Sequence, residues 1–357
     1  MAWTRRHHSK GQIDRAGAVL VKWLTEKNVG PEGLDQALTV VNNWRACHSY
    51  PLQIIKMTLL KRARSADSAA LVAQRLKRLP SMAIKLRDNP AMKLSQMQDI
   101  GGCRAVMTSI SDVRKLIGLY ERSNTKNPHH GRPIQHEQYD YIHSPKPDGY
   151  RSYHLIFKYQ SKYEDKKVFD GQRIEIQIRS KQQHAWATAV ETVQTFTGLA
   201  LKSKVKTGDP EWLRFFALMG SAMALREKCA TVPGTPSNKA ELISEIRRLS
   251  EKLRVEEVLM AWGSAVQSLT SAAGDAAAFL LELDPINKML MTTPFKNNEL
   301  QKAYEEYLRK EKESEKRPEI QVVLVSVESV EALRAAYPNY YLDTGAFIGA
   351  LKQAIDD

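Results

Sequence analysis

The chain is poor in cysteine: Cys47, Cys103 and Cys229 lie far apart, with no C-x-x-C pair. That excludes a disulfide framework and a cysteine zinc site, and it points to a reducing cytoplasm. Long apolar runs are also missing. The most apolar stretch, 257–284, is interrupted by Ser, Gln, Gly and Asp, so no membrane span is expected. The first residues, Met1 to His8, are basic with no apolar run behind them, and no signal peptide is expected. Acidic residues are in deficit, 40 against 53 Lys and Arg, which leaves a net charge of +13 and favours polyanionic partners such as nucleotides, RNA or an anionic surface. At 357 residues, 43% hydrophobic and 26% charged, the chain has an ordinary folded composition and room for two domains.

Apolar residues recur at helical spacing through Ala18, Val19, Val21 and Leu24, then Leu34, Leu38, Val41 and Trp44, so 1–65 reads as a helical lead-in. From 66 to 230, short β-rich runs alternate with helical patterns and turn clusters, which is the texture of an α/β domain. Val232-Pro-Gly-Thr-Pro-Ser-Asn238 concentrates turn formers and marks an expected boundary near residue 235. Beyond it, 239–357 reads as a mainly helical region, with helices at 239–269, 272–284 and 297–314. It ends in a small α/β unit: a strand at Val322–Val325, a helix at Val330–Ala336 and a terminal helix from Thr344. The charge run Arg309–Arg317 is read as a solvated face.

Arg173-Ile-Glu-Ile-Gln-Ile-Arg179 alternates with period two, so its three isoleucines share one strand face and Glu175, Gln177 and Arg179 the other. The polar face suits either solvent or the floor of a pocket. Asp99-Ile-Gly-Gly-Cys-Arg104 sets a carboxylate and an arginine at the entrance to another strand. Two separated carboxylates, Asp99 and Glu175, can hold a Mg²⁺ that also binds phosphate oxygens. Between them, the loop 140–154 combines turn chemistry with Lys146, Arg151 and His154 for phosphate and Tyr150 as a flat stacking surface. The segment Lys61 to Arg87 is basic, with Asp67 its sole acid. His184 opens a helix with an apolar stripe, where it can orient the site or cap the strand-to-helix junction.

The series Arg75-x-Lys77-x-x-x-Ser81-x-x-x-Lys85, Asp99-x-x-Gly-x-Arg104, Lys146-Pro-x-Gly-Tyr150-Arg-Ser-x-His154, Glu175-Ile-Gln-Ile-Arg179 and His184-x-Trp-Ala187 resembles the RelA/SpoT synthetase family in both content and order. The resemblance implies a mixed-sheet, nucleotidyltransferase-like α/β (α+β) domain flanked by helices, and an ATP-dependent pyrophosphokinase acting on a ribose 3′-hydroxyl. By the same resemblance Arg75 and Arg104 match the pair that sandwiches the adenine of ATP, while Lys77, Lys85 and Ser81 match phosphate grips. Asp99 and Glu175 match the Mg²⁺-binding acids, with Glu175 also the candidate base. Tyr150 matches the residue that stacks on the acceptor base, and Lys146, Asp148, Arg151, His154, Gln177, Arg179 and Glu191 match supporting positions. Asp148 stands where the family commonly has Asn, and its charge argues against the usual guanine-nucleotide acceptor.

No His-Asp dipeptide occurs in the chain, so the hydrolase signature of the long alarmone enzymes is missing. The cluster Tyr337-Pro-Asn-Tyr340-Tyr341 in the tail is similar to that of the fused toxin–antitoxin group CapRel. That similarity implies an autoinhibited toxin that pyrophosphorylates the 3′-CCA end of tRNA when a phage-encoded trigger releases it, with Tyr337 and Tyr340 as the inhibiting residues. Two other readings stay open: a small alarmone synthetase acting on guanine or adenine nucleotides, and a non-catalytic RNA-binding sensor.

Overall fold

In a computed structural model, the described residues are 3–26, 30–122, 139–197, 210–256, 259, 277–284, 289–314, 317, 320–326 and 345–356. The Tyr337–Tyr341 cluster and the expected helix at Val330–Ala336 lie outside them.

The lead-in is helical as expected: α1 (Lys10–Glu26), α2 (Pro31–Ala46) and α3 (Ser49–Ala66). The basic segment that follows is divided. β1 (Leu71–Leu76) carries Arg75, and α4 (Leu79–Asp88) carries Ser81 and Lys85. β2 (Gly101–Met107) and α5 (Ile110–Arg122) come next, then β3 (Tyr153–Lys158), β4 (Arg173–Ser180) and α6 (Lys181–Thr197). α7 (Pro210–Arg226) and α8 (Lys239–Lys252) flank the turn at 232–238, where Asn238 caps α8 by accepting from the Ala240 and Glu241 amides.

The C-terminal third corrects the sequence reading at one point. Ala278–Asp284 is a strand, β5, paired with β6 (Met289–Phe295) and with β7 (Gln321–Ser326). Ala278 and the leucines of β5 favour helix locally. Ala278 and Leu280 alternate into a core against α9 (Leu300–Glu313), and that packing overrides propensity. The terminal helix is α10 (Gly345–Asp356). None of the described helices is long and apolar enough to cross a membrane.

All seven strands form one mixed sheet in the order β3-β4-β2-β1-β7-β5-β6. β2 and β4 run parallel, and the other pairs are antiparallel. Ile174, Ile176 and Ile178 sit with Cys103, Ala105, Leu155 and Phe157 in a core closed by α3 and α5. A second core joins α6 and α7 to α8 and α10, with Phe215, Phe216, Ile246 and Phe347 in contact range. Residues on both sides of 235 therefore share one core, and the turn connects helices within it.

The C-terminal region is also tied to the helix that carries Lys85. Glu311 of α9 accepts from Arg45 Nη1 at 2.7 Å and from the Leu79 amide, the first of α4, at 3.0 Å. Arg45 is fully buried and also donates to the Lys77 carbonyl at 3.0 Å and to the Tyr307 hydroxyl. Removing one partner from such a buried pair strands the other's charge. Glu311→Ala is expected to lower unfolding free energy by about 3–5 kcal/mol in urea titrations. A wild-type midpoint would mean that this contact holds nothing together.

Candidate active site

Strand register places the predicted residues on one face. Gly102 of β2 lies between Arg75 of β1 and Glu175 of β4; one pleat further, Arg104 lies between Ala73 and Gln177, and Gln177 is opposite His154 of β3. Arg75 and Arg104 are thus diagonal neighbours on adjacent strands, about 7–8 Å apart at the backbone, a spacing that admits a flat ring between two guanidinium planes. Gly102 adds no side chain to that space; a Cβ there would find only the Glu175 carbonyl oxygen, at 4.0 Å.

At the start of β2 stands Asp99. Lys77 has just left β1, held by its amide to the Ile100 carbonyl at 2.7 Å, and its Nζ donates to Asp99 Oδ2 at 2.9 Å. Lys85, one turn beyond Ser81 on α4, donates to Asp99 Oδ1 at 2.9 Å. Burial alone would raise the Asp99 carboxyl, but the two ammonium groups reverse that and hold it well below the usual carboxylate range.

Glu175 heads a second chain. His154 Nδ1 lies 3.0 Å from Oε1, and Gln177 Nε2 donates to Oε2 at 2.7 Å. His154 Nε2 is 2.7 Å from the Tyr150 hydroxyl, which also accepts from Arg179 Nη2 at 2.6 Å. Arg179 donates as well to Gln177 Oε1 at 3.1 Å. Burial opposes ionisation of Glu175, yet His154 lowers its carboxyl to about 2 against the counteracting charge of Asp99. Burial likewise opposes ionisation of Tyr150, but Arg179 and then His154 bring its phenol down to about 7. The imidazole of His154 is disfavoured as a cation by burial and favoured by Tyr150 and Glu175, with a net upward shift.

The loop before β3 is a tight turn. Asp148 Oδ1 accepts from the Tyr150 amide at 2.9 Å, so this acid shapes the turn. Gly149 has φ +97°, and a Cβ there would meet the Phe216 carbonyl oxygen at 2.7 Å, so the turn and its approach to α7 both require glycine. Lys146 lies 4.5 Å from the Tyr141 ring centre and 5.2 Å from that of Tyr150.

Other expected residues fall elsewhere. Arg151 is buried and pairs with Glu227 at 3.0 Å, well sealed from any acceptor. Glu227 also accepts from Ser180 and Gln183, so it ties the segment before β3 and the end of β4 to the end of α7. The β4–α6 junction is capped by Ser180 and Gln183, each bonding the other's amide at 3.2 Å, and His184 lies buried just beyond. Glu191 stands partly buried on α6. Sequence reasoning missed Tyr141, which lies in a loop already singled out, and Glu227, which no local pattern marks.

A metal at this face would rest on Asp99 and Glu175. Among the described residues no group of three or more His, Cys, Asp and Glu side chains forms a metal cage. Two hard, ionised carboxylates match what Mg²⁺ takes when phosphate oxygens and water complete its shell.

With this geometry in place, comparison with known proteins narrows the family. Residues 74–195 match the family model described as "Region found in RelA / SpoT proteins". The match covers the strands and helices that carry the site and is one of similarity to that family. The GTP pyrophosphokinase YjbM of Bacillus subtilis (strain 168) is 28% identical over 186 residues, 51% of this chain and 80% of that protein. Small alarmone synthetase 1 from Bacillus subtilis is similar over 52% of this chain and 91% of its own, at 20% identity and a TM-score of 0.41. The same synthetase bound to its product pppGpp gives 21% identity and 0.40 over 50% and 87%.

If Arg179 and His154 hold Tyr150 as described, absorbance at 295 nm will show one tyrosine ionising near pH 7, and that step will be missing from Tyr150→Phe. A first phenol transition at about pH 10, the ordinary value, would contradict the arrangement.

Proposed function

We propose that this chain, a pyrophosphokinase of the RelA/SpoT type, moves the β,γ-pyrophosphoryl group of ATP to the ribose 3′-hydroxyl of a free purine nucleotide, making an alarmone. The observation that carries the reading is the meeting of two ionised carboxylates, Asp99 and Glu175, with Lys77 and Lys85 on one side and the His154–Tyr150–Arg179 chain on the other.

Adenine enters between Arg75 and Arg104, and its phosphates draw Lys77 and Lys85 from Asp99. Asp99 and Glu175 would hold a Mg²⁺, which would supply charge neutralisation for the phosphates. The acceptor base lies against Tyr150 and Tyr141, near the Lys146 ammonium, and its 3′-hydroxyl approaches Glu175. Attack forms the bond from the 3′-oxygen to the β-phosphorus and breaks the bond that links it to the α-phosphate, and AMP leaves. Positioning and charge do most of the work in such transfers. A carboxylate held near 2 is a weak proton acceptor; Tyr150, near 7 and joined through His154, matches neutral pH better. Glu175 then orients the acceptor and His154.

A free nucleotide is favoured by the similarity to the GTP pyrophosphokinase YjbM, 80% of whose length this chain matches. A second reading, pyrophosphorylation of the tRNA 3′-CCA end by an autoinhibited phage-defence toxin released by a phage-encoded trigger, draws on the net charge of +13.

The test is transfer of label from γ-³²P-ATP by the full chain, with GDP, GTP, adenine nucleotides and tRNA side by side. Label is expected on a free purine nucleotide, with a loss of about 10²-fold or more in Glu175→Gln. Label on tRNA alone would replace this reading with the second, and binding of RNA without any transfer would overturn both. A fragment ending near residue 235 is unsuitable, because it would strip α8 and α10 from the core of α7.

A further inference from the structure

α4, which carries Ser81 and Lys85, begins without a cap of its own. Its cap residue, Arg78, makes no side-chain cap bond, and the first turn holds no acid. Ser, Thr, Asp or Asn would ordinarily answer the first amides of a helix. Pro80 has no amide hydrogen, and Met82 donates to the Arg78 carbonyl at 3.0 Å. The Leu79 amide finds its acceptor 232 residues further along the chain, in Glu311 Oε1 of α9, at 3.0 Å. That carboxylate also faces the positive end of the helix dipole.

Arg45 makes the matching contact at Lys77. The Lys77 amide donates to the Ile100 carbonyl at 2.7 Å, and its carbonyl accepts from Arg45 Nε at 3.0 Å, so both backbone groups of this lysine are fixed. The same guanidinium donates through Nη1 to Glu311 Oε2 at 2.7 Å and to Asn42 Oδ1 at 3.1 Å, and through Nη2 to the Tyr307 hydroxyl. One rigid plane thus reaches several acceptors at once, which an ammonium cannot imitate. The side chains of Arg45 and Glu311 are 0% and 5% exposed, so water does not replace a contact that breaks.

We propose that Arg45 and Glu311 are positioning residues for the phosphate grip, an inference that rests on the reading of this face as an ATP site. When phosphate draws the two ammonium groups from Asp99, the side-chain bonds that located them are given up and their backbone anchors remain. Arg45 anchors the Lys77 carbonyl. Glu311 anchors the first turn of α4, and Lys85 stands about 9 Å along that helix from Leu79, so a tilt at the start is carried to it. Docking of α9 and binding of ATP then strengthen each other equally.

The test is calorimetric binding of an ATP analogue with a methylene between the α- and β-phosphorus to the full chain, its stoichiometry reporting the folded fraction, beside KM and kcat in the transfer reaction. Arg45→Lys keeps a charge opposite Glu311 and gives up the Lys77 carbonyl. Glu311→Asp keeps its charge and is one methylene short of spanning Arg45 and the Leu79 amide. Each is expected to weaken analogue binding and raise KM for ATP about tenfold, with kcat at saturating ATP within about twofold of wild type and KM for the acceptor unchanged. Leu280→Ala, in the core between β5 and α9, opens a cavity without touching either contact and should keep the wild-type affinity in its folded fraction. A merely structural role would lower kcat through loss of folded protein and leave the analogue affinity and KM for ATP as they are, and that result in either variant overturns the proposal. So does an equal loss of affinity in Leu280→Ala, because any loosening of the C-terminal region would then act alike. Binding needs no acceptor, so this readout stands whichever acceptor is used, and a wild type that binds no analogue overturns the ATP site and the inference together.

Discussion

The parallel register of β2 on β4 is the constraint on which the site depends. With Gly102 opposite Glu175, the segment leading into β2 brings Asp99 to the same end of the sheet, where the two acids feel each other's charge. Neither escapes by protonation, because each has its own cationic partners: Lys77 and Lys85 for Asp99, His154 for Glu175. A one-residue slip would turn Glu175, Gln177 and Arg179 into the core and expose the three isoleucines, so burial of that face fixes the chemistry of the other.

The rest of the fold keeps this face in place from outside. β7 pairs with β1 at Gln74 and Arg75, so the arginine-bearing strand has neighbours on both sides. Glu311 joins α9 to α4 and to Arg45, and Arg45 in turn holds the carbonyl of Lys77. Lys77 and Lys85 are thereby linked to the C-terminal region through Arg45 and α4. A change in how that region docks has a short physical route to these two lysines.

How much of this was legible in the sequence differed by residue. The period-two run at Arg173–Arg179 disclosed its own two faces, because strand geometry allows no other reading of three alternating isoleucines. Motif order grouped Arg75, Lys77, Lys85, Asp99, Arg104, His154 and Glu175; strand register brings Arg75, Arg104, His154 and Glu175 onto neighbouring strands, and side-chain contacts bring Lys77 and Lys85 to Asp99. Residue type did not show where Asp148 and Arg151 point: one closes a turn and the other pairs with Glu227. β5 reads as helix because Ala278 and its leucines suit one, and only its partners β6 and β7 make it a strand. The contact of Glu311 with Arg45, far apart along the chain, left no local pattern at all.

The central claim is that this face transfers pyrophosphate as a unit, with AMP as the leaving group. The most direct measurement is a nucleotide balance by ion-exchange chromatography on the full chain with ATP and its preferred acceptor. One AMP should appear for each acceptor molecule that gains two phosphates, and both products should vanish in Asp99→Asn. ADP in place of AMP, or an acceptor that gains one phosphate, would contradict the account.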